Sequence, residues 1–188
     1  MELRDAMQAD AEAVATVARA SWHEAYDELV GVETVDSTVD RWYDLESLRK
    51  TIADATEVDS EASDEQTVFL VAERDGEVVG FTNAGPAPDS ESGPDADGFL
   101  ARLYVHPDCW GAGIGTGLAG RLARRLQDMG YERIWLEVFA ENDPGREFYE
   151  SLGFERVGSE RETFGGTELT TLQLAMDVTA LVAATAAD

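Results

Sequence analysis

Lysine is almost missing from this 188-residue chain. Lys50 is a single lysine among 14 basic residues, whereas 39 residues are Asp or Glu, so the formal net charge is −25. Proteins that bind nucleic acid need a basic surface against the phosphates, and proteins that dock on anionic membranes need clustered basic residues. The composition therefore predicts that neither nucleic acid nor a membrane surface is a partner.

The acidic residues are spread along the whole chain rather than gathered in a tail. A dispersed carboxylate surface with little lysine is typical of proteins from salt-rich cytoplasms. At about 1 M salt the Debye length falls to roughly 3 Å, so like charges on such a surface hardly repel one another. We therefore predict a halophilic source, with an ordinary acidic protein as the alternative.

Cysteine, histidine and long apolar runs are also scarce. One cysteine, Cys109, excludes an internal disulfide and a cysteine-rich metal site, and two histidines, His23 and His106, do not make a zinc cluster. The first residues, MELRDAMQAD, lack a basic or apolar leader, and no run of about 18 apolar residues occurs. We expect a soluble, cytoplasmic protein without a bound metal.

Apolar periodicity predicts a mixed α/β layer architecture with the order β-α-α-β-β-β-α-β-α-β-β. We expect one domain over residues 1–177 and a C-terminal tail over 178–188, which is rich in alanine and forms either a terminal helix or a frayed end. Residues 54–66 and 86–98 are acidic and low in apolar content, which predicts loops. The predicted strands are 2–6, 67–73, 77–84, 99–105, 133–139, 154–160 and 168–176, and the predicted helices are 9–20, 35–53, 114–129 and 144–152.

A glycine-rich turn is the sharpest motif in the sequence. An apolar strand ending at Val105 is followed by Gly111, Gly113, Gly115 and Gly117, and then by a helical pattern. Glycines let backbone N–H groups approach a ligand closely, and a helix start adds unpaired N–H donors and a partial positive charge. The turn therefore predicts an anion site suited to a phosphate group.

Three other interpretations of this turn can be weighed. The P-loop pattern requires a lysine, which is missing here. The dinucleotide pattern G-x-G-x-x-G does not match from Gly111 or from Gly113, because Thr116 or Leu118 stands where its last glycine would be. Glu137 nevertheless lies about where that pattern has its ribose-binding acid, so this alternative stays open. A glycine-rich helix start used only for tight packing is the third alternative.

The turn also resembles the pyrophosphate loop of the GNAT family of N-acetyltransferases. Val105-His106-Pro107 and Gly113-x-Gly115 match that family's V-x-P strand end and G-x-[G/A] loop, although Trp110 stands in place of Gln or Arg and Ala112 is neutral. Asn142 opens a second matching segment, NDPGREFYESLGF, which resembles N-x-x-[A/G]-x-x-F-Y-x-x-x-G-F. A weaker likeness covers SWHEAY from Ser21, so the resemblance spans about residues 2–176.

The resemblance implies a GNAT fold, with a mixed, mostly antiparallel central sheet that is flanked by helices and splayed between the fourth and fifth strands. It also implies direct transfer of an acetyl group from acetyl-CoA, the cosubstrate, to a primary amine of a small molecule or peptide. Tyr149 would be the general acid near the CoA sulfur. The implied cofactor-binding residues are Leu103, Tyr104, Val105, Gly111, Ala112, Gly113, Ile114, Gly115, Thr116 and Asn142.

The general base and the acceptor pocket are less determined by the sequence. Glu137 is the preferred base, with Glu24 and His23 as alternatives, and an exposed structural role for Glu137 stays open. Trp22 and Tyr26, with Trp42 and Tyr43, could line an acceptor pocket or belong to the core. A catalytically weak acyl-CoA-binding or regulatory module of the same fold is the alternative function, and a homodimer is left open.

Overall fold

A seven-stranded sheet forms the centre of the computed structural model, which describes residues 1–56, 67–88 and 93–186. Most of the predicted loop 54–66, part of the loop 86–98 and the end of the predicted tail fall on 57–66, 89–92 and 187–188, which lie outside the described residues. The strand order is β1-β2-β3-β4-β5-β7-β6. The strands are β1 Glu2–Asp5, β2 Val68–Arg74, β3 Glu77–Pro86, β4 Gly98–Val105, β5 Arg133–Phe139, β6 Glu155–Phe164 and β7 Thr167–Asp177.

The sheet opens between its fourth and fifth strands. β4 and β5 run parallel and pair only at Gly98–Ile134 and Phe99–Trp135, whereas the other neighbouring strands pair antiparallel along their length. On the other edge of β4, the register with β3 shifts and leaves Ala101 as an extra residue. A bulge of this kind bends and twists a strand, so β4 turns away from β5 just beyond the last paired residue. The predicted fold class and its splay are confirmed.

In the described parts of the chain, six α-helices lie against the two faces of this sheet. They are α1 Ala11–Val30, α2 Val32–Trp42, α3 Leu45–Thr56, α4 Ile114–Asp128, α5 Asp143–Leu152 and α6 Val178–Ala184. On one face, α4 and α6 pack a cluster that includes Leu118, Leu122 and Leu181. On the other face, α1, α2 and α3 pack a second cluster that includes Val14, Ile52 and Phe81. The stretch expected to be a tail thus starts with a helix whose Val178 and Leu181 are buried.

The first helical region differs from the sequence prediction in two places. α1 continues through the aromatic segment 21–30, because Ser21, Trp22 and Tyr26 keep its buried face at helical spacing. The single helix predicted over 35–53 is wrong, since the chain forms α2 and α3 there. Asp44 separates them: its carboxylate accepts the N–H groups of Glu46 and Ser47, both at 3.1 Å, and starts a new helix.

Candidate active site

A cavity of about 930 Å³ lies in the opening between β4 and β5. Its wall combines residues from β4, the glycine turn and α5 with residues from α1, the end of α2 and the β6–β7 hairpin. Leu103 and Tyr149 belong to the cluster on the α4 face of the sheet, whereas Tyr104 and Phe139 belong to the cluster on the α1 face. The cavity therefore passes through the sheet and joins its two faces.

Two glycines shape the turn on the α4 side. Gly111 and Gly113 have φ of +72° and +74°, and no described heavy atom lies within 4 Å of where their Cβ atoms would be. Glycine is thus required there for backbone conformation rather than for space. Gly113 is the N-cap of α4, and among the described residues neither a side-chain cap nor an acidic residue occupies its first turn. Ile114, Gly115 and Thr116 line the cavity, and their N–H groups in the uncapped first turn are available to an anionic ligand.

The other two glycines serve packing. A Cβ on Gly115 would lie 3.1 Å from the Phe148 ring of α5, and one on Gly117 would lie 3.3 Å from Leu3 of β1. The four glycines of the motif therefore have two different roles. The first pair makes the turn, and the second pair lets α5 and β1 approach α4.

Trp110 takes the position where the family pattern has Gln or Arg. Its indole Nε1 donates to the carbonyl oxygen of Val105 at 2.7 Å, and the Ser21 hydroxyl donates to the same oxygen at 3.0 Å. The end of β4 is thereby tied to both the glycine turn and α1. Arg125 pairs with Asp5 at 3.2 Å and Arg146 pairs with Asp143 at 2.8 Å, and neither these two nor Arg121 and Arg124 of α4 belong to the described cavity wall. The N–H donors that the turn offers to the cavity are therefore backbone groups.

The free edge of β4 crosses the middle of the cavity. Leu103, Tyr104 and Val105 line it, and from Leu100 onward β4 has no strand partner on its β5 side among the described residues. Apart from the Val105 carbonyl oxygen, which Trp110 and Ser21 occupy, backbone groups along this edge are available to a ligand with amide groups, in the manner of an added strand. The Tyr104 hydroxyl accepts from Trp22 Nε1 at 3.2 Å, which fixes both rings in the wall.

Asn142 links the two sides of the cavity. Its Oδ1 accepts the Gly145 N–H at 3.0 Å and so caps α5, while its Nδ2 donates to the Tyr26 hydroxyl at 2.8 Å. Burial raises the pKa of Tyr26 to about 12 against the opposing effect of the Asn142 hydrogen bond, and the nearby Tyr43 also raises it. Tyr26 thus keeps its proton at neutral pH, and the Asn142 amide holds α5 against α1.

Tyr149 projects from α5 into the cavity wall. Its ring contacts Phe148 and Phe154, with centroid separations of 5.2 Å and 5.6 Å. Burial raises the pKa of its hydroxyl above the usual 10.0, and the proximity of Tyr26 adds to this. Tyr149 is therefore protonated at neutral pH and can act as a proton donor.

Glu137 faces the cavity from β5 on the α1 side of the sheet. Glu137 is exposed on β5, and its partial desolvation in the cavity is the main cause that raises the pKa of its carboxyl; a hydrogen bond with Gln173 opposes the rise, and the negative charges of Glu162 and Glu160 add to it. A carboxylate with a raised pKa is a stronger base than an ordinary one. The other candidate bases, His23 and Glu24, lie outside the described cavity wall, and His23 pairs with Asp27 at 2.8 Å.

Five aromatic side chains form a continuous wall on this same side, which we call the aromatic wall: Trp22, Tyr26, Trp42, Phe139 and Phe164. Each ring contacts at least one other, with centroid separations of 4.7 to 6.1 Å. Tyr43 is instead buried in the core against Phe81. The cavity brings together the predicted Trp22, Tyr26 and Trp42 and leaves Tyr43 out.

Phe164 and Glu162 were not foreseen as site residues. Both lie on β6, which reaches the cavity because Gly165 and Gly166, with φ of +58° and +87°, make a two-residue hairpin turn to β7. Thr171 of β7 donates its hydroxyl to the Glu162 carboxylate. The Gly165-Gly166 pair was the sequence signal that could have extended these strands.

With this geometry established, a family model for the Acetyltransferase (GNAT) family matches residues 22–154. The chain belongs to the GNAT acetyltransferase family. The match runs from Trp22 in the aromatic wall to Phe154 behind Tyr149, so it includes β4, the glycine turn and α5. The structure describes no group of three or more His, Cys, Asp or Glu side chains placed to hold a metal ion. No helix in the described parts of the chain has the length and apolar character of a membrane span.

Among individual relatives, the chain is similar to a mycothiol acetyltransferase of Acidothermus cellulolyticus, with 36% identity over 101 residues. That alignment covers 49% of this chain and 31% of the relative, so the chain spans about a third of the relative's length. Among solved structures, it resembles the PaiA N-acetyltransferase of Thermoplasma acidophilum in complex with coenzyme A (TM-score 0.71, 24% identity, 92% and 96% of the two chains). It also resembles the ribosomal-protein-alanine N-acetyltransferase of Brucella melitensis (TM-score 0.69, 22% identity, 94% and 99%). A third likeness is to YncA of Salmonella typhimurium with acetyl-CoA (TM-score 0.63, 20% identity, 95% and 94%). These structural likenesses show the fold.

Proposed function

We propose that this GNAT protein transfers an acetyl group from acetyl-CoA directly to a primary amine. The observation that supports this most is the sharing of one cavity by the uncapped start of α4 and the free edge of β4. The first suits a pyrophosphate and the second suits a chain of amides, which are the two parts of coenzyme A between its nucleoside and its thiol. The residues present therefore fit the cosubstrate.

The residues of the two halves of the cavity then have separate tasks. The N–H groups of Ile114, Gly115 and Thr116 hold the pyrophosphate, and the backbone of Leu103–Val105 holds the pantetheine amides and polarises the reacting carbonyl. An alkylammonium has a pKa near 10, so the acceptor must lose a proton before its nitrogen can attack. Glu137 takes that proton on the α1 side. Tyr149 is protonated at neutral pH, and on the α4 side it donates its own hydroxyl proton to the departing thiolate sulfur.

A ligand titration tests the cofactor assignment directly. At 100 times its Kd, a ligand that binds only the folded chain adds about 2.7 kcal/mol to the free energy of unfolding. We expect acetyl-CoA to raise the melting temperature and a nicotinamide dinucleotide to leave it unchanged. The reverse result would contradict the assignment. Stabilisation by acetyl-CoA without acetylation of any amine in a broad panel would instead favour a binding or regulatory module.

We further propose that the protein works in concentrated salt. The net charge of −25 means that the carboxylates repel one another and also repel an anionic cosubstrate in dilute buffer. Molar salt screens both repulsions. Because the donors at the glycine turn are backbone groups, cosubstrate binding should persist in that salt. Melting curves across a KCl series test this, with a rise in melting temperature between 0.1 M and 2 M expected and a flat or falling curve refuting the proposal.

A further inference from the structure

We infer that the acceptor is a monoamine whose amino group is joined by a short linker to an aromatic ring. This inference rests on the proposed function, because it concerns the acceptor half of the same cavity. It starts from the juxtaposition, on the α1 side, of the aromatic wall with the carboxylates of Glu137 and Glu162 and with two arginines.

The aromatic wall is more than a side of the core. Trp22 and Tyr26 are buried, but Trp42 is 41% exposed in the structure and still lines the cavity, and Phe139 and Phe164 are half-buried beside it. A single exposed apolar residue is common on protein surfaces, but Trp42 belongs to a contiguous set of rings that lines a cavity, and such a patch is typical of a binding surface. Tilted and edge-on contacts among these rings leave a rigid apolar surface on which an aromatic ring can pack.

The carboxylates place the ammonium end of the acceptor. Glu137 on β5 and Glu162 on β6 face the cavity beside Phe139 and Phe164, because residues two apart on a strand share a face. Thr171 holds the Glu162 carboxylate by donating its hydroxyl. Thr171 pairs with Phe139 across β7 and β5, and Glu137 lies two residues from Phe139 on the same face. An ammonium bound by either carboxylate therefore lies next to the rings, which limits the linker to a few atoms.

The arginines argue against a second positive charge on the acceptor. The Arg41 guanidinium lies 5.7 Å from the Trp42 ring centre, and the Arg102 guanidinium lies 5.2 Å from that of Tyr43. Both arginines line the cavity, so the far end of a polyamine would meet like charge there. The net charge of −25 attracts any polycation to the protein, but the two arginines of the cavity wall disfavour binding of a second positive charge inside the cavity. The cavity therefore favours a monoamine.

Calorimetric titration of CoA-saturated protein in 1 M KCl tests the inference without requiring turnover. The probes are 2-phenylethylamine, n-propylamine, which lacks the ring, and spermidine, which adds charge. Burial of the phenyl ring should make 2-phenylethylamine bind at least about tenfold more tightly than n-propylamine. Spermidine should bind no better than n-propylamine. Equal or tighter binding of either compared with 2-phenylethylamine would overturn the inference.

Two variants locate the preference in the aromatic wall. Trp42→Ala and Phe164→Leu should each weaken 2-phenylethylamine binding by about tenfold while leaving n-propylamine within about twofold. Val32→Ala and Val157→Ala are matched controls, because these side chains are exposed on α2 and β6 and lie outside the described cavity wall. A preference that survives both aromatic variants would refute the assignment to this wall. If no amine is acetylated although acetyl-CoA binds, the transfer proposal fails, and the calorimetric preference still decides the acceptor class.

Discussion

Substitution of Gly113 by alanine separates the glycine turn's structural role from its ligand-binding role. No described heavy atom lies within 4 Å of the added Cβ, so the variant makes no clash. The variant is destabilised because φ is +74° at this position, and a residue with a Cβ is strained by about 1–2 kcal/mol in that left-handed conformation. For a chain of this size that corresponds to a drop of about 2–8 °C in melting temperature.

Gly130 provides a matched control at the other end of the same helix. Its φ is +86°, and here too no described heavy atom lies within 4 Å of the added Cβ. It follows the C-cap of α4, outside the described cavity wall. Gly130→Ala should therefore lose about as much stability as Gly113→Ala, which removes backbone strain as an explanation for any difference in ligand binding.

Acetyl-CoA should distinguish the two variants. In Gly113→Ala the backbone relieves this strain by rotating, which turns the first N–H groups of α4 away from the ligand. The loss of one charge-assisted hydrogen bond, about 1.5–3 kcal/mol, weakens acetyl-CoA binding tenfold or more. At an acetyl-CoA concentration of 100 times the wild-type Kd, stabilisation then falls from about 2.7 to about 1.4 kcal/mol. Differential scanning fluorimetry measures this. Retention of the full shift by Gly113→Ala, or an equal loss in Gly130→Ala, would refute the role assigned to the turn.

Three further variants test the remaining assignments. Tyr149→Phe should lower kcat by about 10²-fold or more, since it removes a proton donor, and should leave the acetyl-CoA thermal shift unchanged; an unaltered kcat would exclude the acid role. Because the folded-state pKa of Glu137 is raised, wild-type kcat/KM should fall as pH drops through that value, and Glu137→Gln should be nearly inactive without this acid limb. At pH values above this raised pKa, the charged Glu137 carboxylate lowers the stability of the folded chain. Glu137→Gln should therefore have a melting temperature at pH 7 that is no lower than that of wild type. A clear drop would contradict desolvation as the cause of the raised pKa. Trp110→Phe, which removes the donor to Val105, should raise the KM for acetyl-CoA by about two- to tenfold, and an unchanged KM would show that the turn does not depend on this bond.

Local sequence signals were sufficient for much of the fold. A run such as 68–71 is apolar because both faces of its strand are buried. The stripe of Leu118, Leu122 and Leu126 repeats every four residues because one face of α4 is buried. Each of these patterns lies within one strand or one helix. The pattern over 35–53 predicted one helix instead of two, because its apolar stripe continues past Asp44 and the sequence gives only a weak sign that the Asp44 carboxylate starts a new helix.

The candidate site was foreseen on its cosubstrate side and only partly on its acceptor side. The glycine turn and the segment from Asn142 to Phe154 are contiguous, and their conformations follow from positive φ and from local capping. Glu162 and Phe164 come from a hairpin far along the chain, and nothing in their own segment indicates which strand they lie beside.

The sequence by itself therefore determined the strands, most of the helices, the glycine turn and the acidic surface, because each depends on neighbours in the chain or on composition alone. The tertiary structure decided where the pairing of β4 with β5 ends, that Trp110 and Ser21 meet at Val105, and that Glu137 and Glu162 line one cavity with the aromatic wall. Those contacts join elements that are far apart in the chain. Their register and angle depend on the packing of the whole sheet against its helices, which no local pattern specifies.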